Sequence, residues 1–144
     1  MAQVQITTNC SVKNKTSSSM AYHTCKDWQG TASYPNQILS LVEISFLHTG
    51  NLNSSEGAVV YRIKKSNNKS LDIMVAWYAQ SNSSNKAYTL VKEIDYFTAA
   101  RWDEIKDSLE ASSKNSTCTY DGCTSEVEID DKSAAKFSAK ISFT

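Results

Sequence analysis

The sequence predicts an all-β fold, an antiparallel β-sandwich of about eight or nine strands with one short α-helix near residues 99–112. Apolar and polar residues alternate through most of the chain, as in segment 136–143, where Phe137, Ala139 and Ile141 would share one face. A period of two is typical of half-buried strands. The segments are separated by short stretches rich in Asn, Asp and Ser, which favour turns. A chain of 144 residues fits a single domain, residues 1–144.

Nine segments have the strand pattern, with polar turns between them. They are residues 3–8, 20–28, 38–48, 58–64, 71–79, 87–96, 118–120, 123–129 and 133–144. Segment 71–79 is the most apolar, so we place it at the centre of a sheet and its Trp77 in the core. The dipeptide Asp121-Gly122 predicts a hairpin with a primed turn, because both residues tolerate positive φ.

The hydrophobic period changes once, after residue 96. Trp102, Ile105 and Leu109 then fall on one stripe of a helix, while acidic and basic residues occupy the rest. Thr98 precedes this segment and could cap a helix that starts at Ala99. The sequence therefore predicts one amphipathic helix packed on the sandwich through these three apolar residues.

Charge and the first residues exclude several classes of protein. The net charge is 0 and the pI is about 6.7, which argues against nucleic acid as a partner because such binders carry a basic field. No basic region followed by an apolar stretch opens the chain, so no secretory signal is predicted and we expect a cytoplasmic protein.

The cysteines fit either free thiols or a disulfide, and the absence of a signal favours free thiols. They are Cys10, Cys25, Cys118 and Cys123.

The residues that could carry catalysis or bind a metal do not form a known pattern. His23 and His48 are the only histidines and no nucleophile-elbow motif is present, so we expect no enzyme activity and no catalytic residues. Cys10, His23 and Cys25 lack the paired spacing of zinc sites. Asp130-Asp131 could contribute to a calcium loop, but reads better as a solvated strand end. We predict no metal and no cofactor.

One aromatic cluster suggests ligand binding. Trp28 and Tyr34 lie close in sequence to Asp27, Gln29 and Asn36. An aromatic ring beside carboxylate and amide groups is suited to a shallow sugar site, where the ring stacks and the polar groups donate or accept hydrogen bonds. The alternative is that the two rings pack within the fold. We predict a ligand-binding site formed by these five residues.

Several short segments share an order and spacing, namely residues 20–30, 34–35, 46–48, 57–62, 76–77, the segment around Trp102 and residues 120–123. In these segments the chain resembles the jasmonate-induced proteins of plants, the type named for a mass of about twenty-three kilodaltons. The resemblance runs from about Val4 to the C-terminus. It implies a stress-responsive plant protein and supplies no catalytic residues. Longer family members carry an extra leading region, and a function housed there would not transfer. The expected architecture is also similar to the aegerolysin and actinoporin-like sandwiches that bind membrane lipids, which is an analogy of fold.

These observations predict a non-enzymatic defence-type protein that binds carbohydrate or a glycosylated surface, so the expected partner is a glycan or glycolipid. The alternative is a membrane-lipid-binding or pore-forming protein with a membrane surface as partner, for which the 99–112 helix is the candidate element to insert. A third reading is a protein-interaction module. The chain is expected to be a monomer or a homodimer.

Overall fold

The part of the chain that the structure describes forms ten strands in two sheets and one α-helix. The computed structural model describes residues 4–144, and it confirms the predicted β-sandwich. The strands are β1 (Thr7–Asn14), β2 (Met20–Gln29), β3 (Gln37–Ile38), β4 (Glu43–Thr49), β5 (Ser54–Lys64), β6 (Ser70–Gln80), β7 (Lys86–Glu93), β8 (Asn115–Tyr120), β9 (Cys123–Ile129) and β10 (Ala134–Phe143). Sheet A has the order β4-β1-β10-β9-β8 and sheet B the order β3-β2-β5-β6-β7.

One strand pair is parallel. β1 runs alongside β10 in register from Thr7 opposite Ala134 to Asn14 opposite Ile141. The other pairings within residues 4–144 are antiparallel, as predicted. The parallel pair brings the first and last strands together at the middle of sheet A and places their C-terminal ends at the same end of the sandwich.

The main core lies between the two sheets, and β5 and β6 contribute to it from their inner faces. Val59, Tyr61 and Ile63 point into this core, whereas Val60 belongs to a second apolar cluster on the outer face of sheet B. The alternating residues of this strand therefore serve two separate cores. Trp77 is fully buried between the sheets, as its assignment to the core required.

The helix covers the second cluster. A 3₁₀ turn, Ala99–Arg101, leads into α1, Trp102–Glu110, and Trp102, Ile105 and Leu109 are its buried residues, which confirms the predicted stripe. The predicted cap is wrong, because the Thr98 side chain makes no capping hydrogen bond. Within residues 4–144, neither helical segment has the length and apolarity needed to cross a membrane.

Two predicted strands differ from those observed. Segment 38–48 is split, because the chain leaves sheet B at β3, turns through residues 39–42 and enters sheet A as β4. The alternation of apolar and polar residues indicates that one face of a strand is buried, but it does not indicate which sheet the strand joins. The first strand begins at Thr7 rather than residue 3, and residue 3 lies outside the described residues. β6 is internal, but the centre of sheet B is β5.

Replacing Leu109 with Ala tests how much the helix contributes. Leu109 is fully buried against sheet B, and losing such a side chain costs about 2–5 kcal/mol. The free energy of unfolding, measured with urea, should fall by this amount. The exposed neighbour Asp107 provides the control, since Asp107→Ala should change it by less than about 0.5 kcal/mol. An equal loss in both variants would mean that the helix is not docked as described.

Candidate functional site

Three apolar side chains are exposed together in the turn between β3 and β4. Leu39 is 53% exposed, Leu41 72% and Val42 39%. The turn lies at the end of the sandwich where β1 finishes, since the amide of Asn14 donates to the carbonyl of Val42. Exposed apolar residues gathered in one short turn are candidates for a contact surface, because they contribute little to the core.

The backbone of this turn conflicts with its sequence. Leu41 has a φ of 65°, a left-handed conformation that costs a non-glycine residue about 1–2 kcal/mol. The turn is closed by a hydrogen bond from the Val42 amide to the Leu39 carbonyl, 3.1 Å, and by the Ser40 hydroxyl, which donates to the Thr16 carbonyl at 2.6 Å. Asn or Gly is the usual residue in this conformation. An exposed leucine held there suggests that its side chain has a function.

A buried asparagine fixes the turn against a neighbouring polar loop. The Asn14 side chain is fully buried. Its amide nitrogen lies 2.7 Å from the Ser18 carbonyl, 3.1 Å from that of Ile38 and 3.3 Å from that of Leu39. Its amide oxygen accepts from the amide and hydroxyl of Thr16, at 3.0 and 2.7 Å. One side chain therefore holds loop 15–19 and turn 39–42 side by side.

The loop beside the apolar turn is polar and partly cationic. Lys15, Ser17 and Ser19 are exposed in this loop. Lys13, near the end of β1, is also exposed. Lysine stems can lie along apolar surface while the ammonium groups stay in water. An apolar tip with adjacent ammonium and hydroxyl groups matches the boundary between hydrocarbon and lipid headgroups.

The five residues predicted to bind sugar are not brought to one surface. The Tyr34 hydroxyl donates to Asp27 Oδ1 at 2.6 Å, so these two meet between the sheets. Trp28 points to the opposite face of β2, where its ring packs edge-on against Trp102 with centroids 6.0 Å apart. Gln29 accepts a hydrogen bond from the Asn51 side chain. Asn36 is exposed. The sugar site stays a prediction, without a shared surface to support it.

Asp27 instead joins a chain of hydrogen bonds centred on His48. The imidazole Nε2 lies 3.0 Å from Asp27 Oδ1, and Nδ1 lies 2.7 Å from the Ser55 hydroxyl. Ser55 in turn bonds to the Thr8 hydroxyl at 2.8 Å. The sequence acid–imidazole–hydroxyl matches a catalytic triad in composition. However, Ser55 and His48 are both fully buried, so the hydroxyl cannot meet a substrate and the chain of bonds connects the two sheets.

Burial lowers the pKa of His48, although Asp27 opposes this shift. The imidazole is therefore neutral near pH 7. The pKa of His48 in the folded protein therefore lies below its unfolded value of about 6.5. As pH falls below about 6.5, the unfolded chain takes up a proton before the folded protein does, and the free energy of unfolding decreases.

Two glycines leave room for the imidazole ring. A Cβ on Gly57 would lie 2.9 Å from His48 Nε2 and 3.0 Å from Trp77. A Cβ on Gly30 would also lie 2.9 Å from the ring, and Gly30 has a φ of 116°. Sequence reasoning did not find this network, because Gly30, His48 and Gly57 are far apart in the chain.

Replacing Gly57 with Ala should destabilise the protein by about 1–3 kcal/mol, because the added methyl overpacks the fully buried ring. Thermal unfolding at neutral pH measures the effect. Ser83→Ala in the exposed loop 81–84 is the matched control and should be neutral. A neutral Gly57→Ala would show that His48 is not held as tightly as described.

Other polar groups form a cluster around an arginine on sheet B. His23, Asp72 and Asp95 have ligand atoms within 4.8 Å of one another. The guanidinium of Arg62 lies among them, at 2.7 and 2.9 Å from the two oxygens of Asp72 and 3.0 Å from Asp95. A guanidinium already contacts both carboxylates, so the arrangement is an ion-pair network that holds residue 95 on the sheet.

Two further features are the cysteines and a groove on the outer face of sheet A. All four cysteines are free, and burial raises the pKa of Cys10 and brings that of Cys123 to about 11. The outer face of sheet A carries an open groove of about 450 Å³. Ser11, Ser45 and Ser138 line it, and its one aromatic residue, Phe137, is buried.

A family model for Nakanori-like protein matches residues 4–142. The chain belongs to the Nakanori-like family. The crystal structure of the lipid binding protein Nakanori superposes on it with a TM-score of 0.85 at 18% identity, covering 96% of this chain and 72% of that one. At this identity the likeness to Nakanori establishes the shared fold.

A second relative confirms the resemblance to the jasmonate-induced proteins. The jasmonate-induced protein homolog of Atriplex canescens is 29% identical over 116 residues. The match covers 75% of this chain and 63% of the length of that protein, so this Nakanori-like chain spans less than two thirds of the curated relative.

Proposed function

We propose that this protein is a non-enzymatic lipid-binding protein that docks on membranes through turn 39–42. The observation that carries the proposal is the group of three exposed apolar side chains in that turn. The lipid-binding relative Nakanori, which shares the fold, supports it. In this proposal Leu39, Leu41 and Val42 enter the hydrocarbon boundary, while loop 15–19 meets the headgroups.

The size of the apolar turn predicts reversible binding. Full burial of one Leu or Val side chain contributes about 1.5–3 kcal/mol, and these side chains are already partly covered. Three of them supply several kcal/mol, comparable to the marginal anchoring given by a single myristoyl chain. The protein should therefore bind as a peripheral protein whose affinity depends on each apolar residue of the turn.

Helix α1 is a poorer candidate for insertion than the sequence suggested. Its apolar residues are already buried against sheet B. The side that faces water carries Asp103, Glu104 and Asp107. An acidic surface is repelled by anionic lipids, and insertion would first require undocking the helix.

The substitution Leu41→Asn separates binding from folding. Asparagine tolerates the left-handed conformation, so the free energy of unfolding should stay constant or rise by about 1 kcal/mol. Affinity for vesicles should fall by roughly tenfold, since one exposed leucine no longer enters the membrane. Co-sedimentation measures the affinity, and chemical denaturation measures the stability.

A control variant and three vesicle compositions distinguish lipid binding through the turn from carbohydrate recognition. Leu52→Asn alters an exposed leucine at the opposite end of the sandwich and should leave binding unchanged. The vesicles are phosphatidylcholine alone, the same with an anionic lipid, and the same with a glycolipid. Binding that depends on Leu41 in at least one set supports the proposal. Binding that needs the glycolipid and ignores Leu41 would favour carbohydrate recognition, and no binding to any set would contradict lipid binding.

A further inference from the structure

A buried carboxyl group lies beneath the end of helix α1, away from the proposed membrane site. Glu56, on β5, is 2% exposed. Within residues 4–144 its Oε2 is buried and has no hydrogen-bond partner, while Oε1 lies 3.9 Å from Lys106 Nζ. An ionised carboxylate with an unpartnered buried oxygen is costly, because neither water nor a donor replaces its hydration.

A second carboxyl group faces the same lysine. Lys106 Nζ lies 2.7 Å from Glu110 Oε2, in the last turn of the helix. The lysine thus contacts two carboxyl groups, one from the sheet and one from the helix. The other ionisable group against Glu56 is Tyr78, directly opposite it on β6. On the β2 side its partner is Gln29, which is neutral.

The charge of this cluster does not balance if both acids ionise. Two carboxylates and one ammonium leave a net negative charge under a helix whose C-terminal dipole is also negative. We propose that Glu56 and Glu110 share one proton, and that the resulting hydrogen bond holds the last turn of α1 on sheet B. The Glu56 O–H donates to the Glu110 carboxylate, and a neutral Glu56 leaves no ionised oxygen buried without a partner.

The direction of each pKa agrees with this assignment. Burial, and then Glu110, raise the pKa of Glu56 to about 8. Hydrogen bonding to Glu56 lowers the pKa of Glu110, and Lys106 adds to this effect. Glu56 is therefore the proton donor at neutral pH and Glu110 the acceptor.

Ionisation of Glu56 should loosen the helix as pH rises. The docked helix holds a proton that the undocked helix releases above the ordinary carboxyl pKa. The stabilisation is therefore greatest near pH 4.5 and declines as pH rises towards about 8, where the docked state also loses the proton. His48 has the opposite pH dependence, so the measurement must report the helix rather than the whole protein.

Amide hydrogen exchange of residues 105–110 reports the helix. We expect the opening equilibrium constant of wild-type α1 to rise by up to roughly tenfold per pH unit between about pH 5 and pH 8, and then to level off. In Glu56→Gln the side-chain amide donates to Glu110 without titrating, so the constant should be independent of pH. The control Glu104→Gln alters an exposed acid on the same helix and should keep the wild-type dependence.

A carboxyl ¹³C titration of the wild-type protein tests the proton itself and does not depend on whether the variant folds. The Glu56 resonance should titrate well above the ordinary range for glutamate. Titration of Glu56 near pH 4.5, or equal pH dependence of helix opening in wild type and Glu56→Gln, would overturn the proposal. Neither result bears on lipid binding, because the turn and this cluster lie on different parts of the fold.

Discussion

Strands β5 and β6 are apolar on both faces, and this constraint arranges the rest of the molecule. Their inner faces are covered by sheet A. Their outer faces are covered by helix α1, which includes Trp102, and by the ring of Trp28 on β2. Each face left in water would cost about 25 cal/mol for every Å² of apolar surface. The fold therefore has three layers, and the surfaces left for partners are the outer face of sheet A and the two ends.

A buried side chain fixes the loops at one end of the sandwich. At the end formed by turn 39–42, Asn14 is buried and its amide is used entirely to hold two loops together. A buried amide has few alternative partners, so the loops have one arrangement. That arrangement places Leu41 in a strained backbone conformation with its side chain in water. The most stable sequence for this turn would have Asn or Gly there, and the membrane contact that we propose would account for the leucine.

Much of the fold follows from local patterns in the sequence. Alternation predicted strands at β5 and β6, the change of period located α1, and Asp121-Gly122 forms the expected turn with φ values of 50° and 77°. The pairing of β1 with β10 was not accessible, because residues at the two ends of the chain carry no local signal of contact. The packing of Trp28 against Trp102 was not accessible for a similar reason, since adjacent residues of β2 point to opposite faces and Trp28 lies on the face opposite Asp27. The exposed turn had one readable signal: four of the five residues in segment 38–42 are apolar and they fall in both alternating sets, which a half-buried strand does not show.

In the function that we propose, turn 39–42 is the part of the protein that meets a lipid bilayer. The most direct measurement is the NMR spectrum of the protein on bilayer nanodiscs that contain a spin-labelled lipid. We expect the amide signals of residues 15–19 and 39–42 to broaden, while those of loop 50–53 and of the outer face of sheet A stay sharp. Broadening centred on residues 27–36 or on the groove of sheet A, with turn 39–42 unaffected, would contradict the account.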